Sequence, residues 1–215
     1  TGDYAEGGGI YSTGGTIIDS IILGNITTYT GIDSDEIHGA FGFGGYNLIG
    51  ADTATFDASV SGAVANANPV VVFDSVFSNN GVTAGVLADN GGLVETAALR
   101  PVPANPALDA GAVTLPNDSR DLDNDGNFGE LLPVDARGPG FVRDANVLGG
   151  DAHDLGAFEL QPPTPSLVVT TPKDVVNAFD NFTSLREAVG YVNDGILTGT
   201  ITFAPCLLYT SDAAD

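Results

Sequence analysis

The sequence predicts an all-β chain of short strands and tight turns, on three observations. The acids are 22 Asp against 6 Glu, beside 15 Asn and 29 Gly, so turn formers are abundant and helix formers scarce. The apolar residues fall in short, largely β-branched bursts, too brief for helices. Hydrophobic residues make up 43% of the 215 residues, more than a disordered acidic chain carries, so the chain is expected to fold.

The elements follow in chain order. GGGIYSTGGTIIDSIILGN, from Gly7 to Asn25, holds two or three strands in nineteen residues, each closed by a Gly or Asn turn. That spacing suits one coil of a parallel β-helix, in which each turn of the solenoid adds short strands to separate stacked sheets; it suits a β-sandwich equally. GFGGYNLIG (Gly42 to Gly50) and PVVVFDSVFSN (Pro69 to Asn79) read as two further coil-like stretches. Asn25, Asn47, Asn79 and Asn90 each end or interrupt an apolar burst, where such residues bond along the axis of a solenoid. From Leu87 to Ala112 the turn signals Asn90-Gly91-Gly92, Pro101, Pro103 and Pro106 predict irregular chain laid over an end of the core. Val113 to Glu159 is loop-rich and carries eight Asp. QPPTP, Gln161 to Pro165, reads as a stiff linker. Beyond it, Leu167 to Thr171 alternates as a strand, and TSLREAVGYVN is the one convincing helix. Ser184 and Glu187 form a capping box there, and Leu185, Ala188, Val189 and Val192 share a face. Gly199 to Phe203 opens another strand.

Composition also excludes functions. The formal net charge is −22 with only six Lys and Arg, so no basic face exists for nucleic acid or anionic lipid. No apolar run approaches the roughly 18 residues that span a bilayer. Thr1 is read as a fragment or processed end. The last ten residues, CLLYTSDAAD at 206–215, match the translation of a transposon-type sequencing adapter. They are expected to be an artefact, which removes the sole Cys.

Further motifs carry a resemblance. Gly7-Gly8-Gly9-Ile10, IILGN at 21–25, GGYNLIG at 44–50, DNGG at 89–92, ALRP at 98–101, NPALDAGA at 105–112, DARG at 135–138 and DLGAFE at 154–159 occur together. In this order they resemble the end of a bacterial right-handed parallel β-helix protein of the choice-of-anchor Q type. The stretch 167–203 is similar to the CSLREA domain, with Thr183 where that motif has Cys. The resemblance implies terminal coils of a right-handed parallel β-helix over 1–86, an irregular end cap with an Asp-rich loop over 87–160, and a Pro linker over 161–166. It implies the strand-and-helix start of a second β-helix unit over 167–205. It further implies a secreted or bacterial cell-surface protein.

The sharpest chemical motif is DLDNDGNFGE. Asp121, Asp123 and Asp125 with Gly126 reproduce the first half of an EF-hand-type calcium loop, and the Asn127 carbonyl would be the next ligand. Position 12, normally a bidentate Glu, is Leu132, with Glu130 and Asp135 off the expected spacing. An ion-free Asp/Gly turn is the alternative. Asp151-Ala152-His153-Asp154 sets an imidazole between two carboxylates, yet no Ser or Cys nucleophile motif accompanies it, and His153 is expected in a surface loop. His38 is read as a turn residue. Arg137, with Asp154 or Glu159, is expected to form structural ion pairs. No catalytic or organic-cofactor residues are assigned. The expectation is a non-catalytic, adhesin-like module that is structural or presents ligands, facing glycans or surface proteins of a host or neighbour. The alternative is a fragment of a carbohydrate-active lyase or glycoside hydrolase on the same fold.

Overall fold

The computed structural model describes residues 9–12, 14–27, 33–34, 36–39, 42–50, 63–64, 67–79, 81–111, 114–115, 117–122, 124–145, 147 and 152–207. The chain divides into two compact units, Thr1–Leu160 and Gln161–Asp215. It is sheet-rich with little helix, and its sheets are small and mixed in direction. Among the described residues no helix is long and apolar enough to cross a membrane.

In the first unit the chain makes two matching passes. The first carries β1 (Ile10–Ser12), β2 (Thr16–Ile18) and β3 (Ile21–Ile22). An antiparallel excursion, β4 (Ile26–Thr27) with β5 (Asp33–Ser34), follows. The second pass carries β6 (Ile37–Gly39), β7 (Gly42–Gly44) and β8 (Asn47–Ile49). Each strand of the second pass pairs in parallel with its counterpart: Ile10 with Ile37, Ile17 with Phe43, Ile21 with Leu48. β9 (Ala63–Val64) extends the last ladder, Leu48 facing Val64. Ile17, Ile22, Ile37 and Ile49 are buried as one core, with Ile10 and Phe43 packed against it. Isoleucine suits these positions because its branched side chain packs well on a pleated surface.

Polar side chains hold the two passes in register. Asn47 is fully buried; its amide donates to the Ile17 and Gly44 carbonyls, and its oxygen accepts from the Ser20 N–H. Glu36, also buried, accepts from the Gly24 and Asn25 N–H groups and the Asn25 amide. Asp19 takes a left-handed φ of +45° and accepts from the Tyr46 N–H. Gly45, at φ +58°, lies against it, and a Cβ there would collide with the Asp19 carboxylate.

The stretch 69–79 departs from the strand expectation. Pro69–Val72 is a single helical turn, α1, and Val76–Asn79 (β10) forms an antiparallel hairpin with Val82–Gly85 (β11). The Asn68 side chain caps the turn by accepting from the Val70 N–H, and Pro69 presets φ at the first helical position. Those two residues override the β-branched run. Asn79 accordingly sits in a hairpin strand rather than at a turn, whereas Asn90 bonds Thr96 across its turn. The 87–160 stretch is largely irregular. It holds a two-residue ladder, β12 (Leu87–Ala88) with β13 (Thr96–Ala97), and the bridges Phe73–Leu99, Asn117–Leu131 and Val134–Val142.

In the second unit β14 (Val168–Val169) pairs in parallel with β15 (Thr202–Phe203), and α2 (Leu185–Asn193) lies between them in sequence. Both halves of the capping box are formed. Glu187 accepts from the Ser184 N–H at 2.8 Å and, with its other oxygen, from the Asn177 N–H. The apolar face of α2 is only partly covered: Ala188 is buried, while Leu185, Val189 and Val192 stay exposed. A 3-10 turn, Pro205–Leu207, follows β15.

Candidate functional site

The Asp-rich loop is organised by its own backbone. Asp121 accepts from the Gly126 N–H, Asp125 from the Asn127 N–H, and the Asn127 side-chain oxygen from the Gly129 N–H. The Asn127 amide also donates to Glu130. Asp125 and Asn127 thus make Asx-type turns, and Asp121 closes the loop onto Gly126 five residues on. Asp123 lies outside the described residues. Among those described, no three His, Cys, Asp or Glu side chains are grouped to hold a metal. The residue that shapes the loop is Asp118, which is buried and accepts from the Arg120 and Leu122 N–H groups.

DARG and DLGAFE meet in a buried charge cluster. Arg137 is fully buried and grips Asp135 with two nitrogens, at 2.7–3.2 Å. A third bond goes to the Glu159 carbonyl. Its guanidinium lies between the rings of Phe141 and Phe158, 4.0 and 3.9 Å from their centroids. The expected ion pair is therefore redistributed: Arg137 pairs with Asp135, and Arg143 faces Glu159 at 3.9 Å. The reason is local. Asp135 sits two residues before Arg137 and also accepts its backbone N–H, so the pair closes within the turn. Asp154 accepts from the Asp109 and Leu160 N–H groups, and Glu159 from those of Ala145 and Asp154. Burial raises the Asp154 carboxyl to about 6. Burial, with the Asp154 charge second, raises Glu159 to about 9.

His153 is not the surface-loop residue expected. It is buried, its ring against Gly111, where any Cβ would collide with it. Its Nε2 lies 3.3 Å from Asp19, far away in sequence on the turn between β2 and β3. Burial and the Arg143 charge lower its affinity for a proton, against the pull of Asp19. An open cleft of about 800 Å3 adjoins these groups. Asp19, His153 and Arg143 line part of it, and aliphatic residues such as Ile18, Ile21, Leu115 and Leu122 line most of the rest. His38, expected in a turn, lies in strand β6, where it pairs with Tyr11 of β1.

Sequence reasoning missed Asp19, Glu36 and Asp118 as organising residues. For Asp19 and Glu36 the available signal was a carboxylate directly beside an isoleucine. The pairing of Asp19 with His153 had none, because the two residues belong to different segments. No family model, curated protein or solved structure matches the chain.

Proposed function

We propose that residues 1–160 are the closing end of a right-handed parallel β-helix in a secreted or surface-displayed bacterial protein. It serves as a non-catalytic structural or ligand-presenting module. The observation that carries this reading is the repeated parallel pairing of two chain passes in the same order, at an offset of 26–27 residues. The buried charge cluster supports it, because its side chains bind the chain's own backbone and rings. In the same reading, β14 and β15 with α2 begin a second unit of the kind the CSLREA resemblance implies, and glycans or surface proteins are the partners.

The test is adhesion against turnover. Beads coated with the protein should be retained on polysaccharide-coated or cell-coated surfaces. Incubation with acidic and neutral polysaccharides should release neither new reducing ends nor unsaturated products. Turnover abolished by His153→Ala would favour the alternative, a carbohydrate-active enzyme, for which the His153–Asp19 contact beside an open cleft is the one favourable observation.

Calcium is proposed for the loop at Asp121, Asp123, Asp125 and Asn127. Millimolar calcium should then raise the melting temperature by an amount that Asp121→Ala abolishes. Equal melting with calcium and with chelator would leave the Asx turns as the whole role of the loop.

A further inference from the structure

We propose that the cleft between the β2–β3 turn and the closing segment is a peptide-docking site. Its occupant is an extended stretch of a partner protein that carries aliphatic side chains and a flanking Lys or Arg. The proposal rests on the reading of residues 1–160 as a ligand-presenting module and names the chemistry of the partner. Two segments distant in sequence form the walls, and they are pinned together. The Gly156 N–H donates to the Asp19 carbonyl at 2.9 Å, His153 faces the Asp19 carboxylate at 3.3 Å, and a Cβ on Gly156 would already touch Ile21. A site held this way orders little further chain on binding. Its volume of about 800 Å3 is that of a ligand cleft.

The walls select the occupant. Ile18, Ile21, Leu115, Leu122, Leu132 and Val134 supply most of the lining, and none of the described lining residues is aromatic. Ile18 and Leu122 are 55% and 44% exposed, so apolar surface is held open to solvent. A glycan would press hydroxyls against these aliphatic groups without hydrogen-bond partners, a cost that aliphatic side chains avoid. Arg143 supplies the polar point. It is buried at the edge of the cleft, donates from Nη2 to the Asp154 carbonyl at 3.0 Å, and stands 3.9 Å from the Glu159 carboxylate. A guanidinium carries five N–H donors, so a backbone carbonyl of an extended peptide can share this one. Charge sets the flanks. Asp19 borders the cleft, Asp121 and Asp144 adjoin its lining residues Leu122 and Arg143, and the chain carries a net −22. Burial and the Arg143 charge lower the proton affinity of His153, so the imidazole adds no positive charge at neutral pH. The surrounding field therefore repels an acidic segment and attracts a basic one.

The test titrates the full chain, labelled at its Ile, Leu and Val methyl groups, with the peptide acetyl-Lys-Leu-Val-Ile-Lys-amide, read by NMR. The methyl signals of Ile18, Ile21, Leu115 and Leu122 should shift with a Kd of about 1 mM or tighter, while those of the fully buried Leu48 and Ile49 stay still. Ile18→Ser and Leu122→Ser alter exposed side chains, so the fold should survive, and each should weaken binding about ten-fold by withdrawing an apolar contact. Phe77→Ser, an exposed apolar residue outside the cleft, should leave binding unchanged. Exchanging both Lys for Glu in the peptide should weaken binding at low salt. Absence of cleft shifts with the Lys-flanked peptide overturns the proposal. So do equal shifts with acetyl-Lys-Ser-Ser-Ser-Lys-amide, or cleft shifts produced by cellohexaose instead. The module and its cleft fail separately. Wild-type beads that do not adhere while the cleft methyls shift sink the module and sustain the cleft, and adhesion without methyl shifts does the reverse.

Discussion

Arg137 shows how much one side chain decides. Its planar fork spans both Asp135 oxygens, and its flat faces meet two aromatic rings, a combination that an ammonium cannot reproduce. Arg137→Ala leaves Asp135 buried and unpaired, and should cost about 3–5 kcal/mol in urea unfolding. Arg137→Lys should recover less than half of that loss. Full recovery by Lys would show that charge alone is used. Gly45 makes a second case at this scale. Gly45→Ala places a methyl against the Asp19 carboxylate at a positive φ, and should cost more than the roughly 1 kcal/mol of strain alone. The DARG and DLGAFE residues were legible in sequence as structural ionic residues. Which Arg takes which acid was not, since a pair two residues apart closes locally, whereas Arg143 and Glu159 are sixteen residues apart in sequence.

At the scale of elements, caps proved more informative than propensity. Ser184 with Glu187 marked the start of α2, and both reciprocal bonds form. Ser184→Ala should lower the stability of the second unit by about 1 kcal/mol, read by helical circular dichroism on heating. No measurable change would mean that the Glu187–Asn177 bond holds the helix start unaided. Asn68 with Pro69 is the same kind of signal, and it turns a Val-rich run into a helical turn. The apolar stripe of α2 was also legible, but its periodicity did not predict that only Ala188 would be buried. Periodicity states which residues share a face, and packing partners state whether that face is covered.

At the scale of the whole molecule the acid excess dominates. A net charge of −22 repels itself in the folded state. Raising sodium chloride from about 20 to 200 mM should therefore raise the melting temperature, as the Debye length falls from roughly 20 to below 10 Å. An unchanged or lower melting temperature would mean that attractive pairs outweigh repulsion.

By itself the sequence determined the sheet-rich class, the places of many turns and the capped helix. These follow from local chemistry: φ preference, β-branching and capping act within a few residues. Only the tertiary structure decided that the strands of 10–22 lie parallel to those of 37–49, that His153 is buried against Asp19, and that three acids share two guanidiniums in one dry cluster. Each of these depends on groups distant in sequence brought within a few ångströms, where burial sets the cost of a charge and geometry sets its partner.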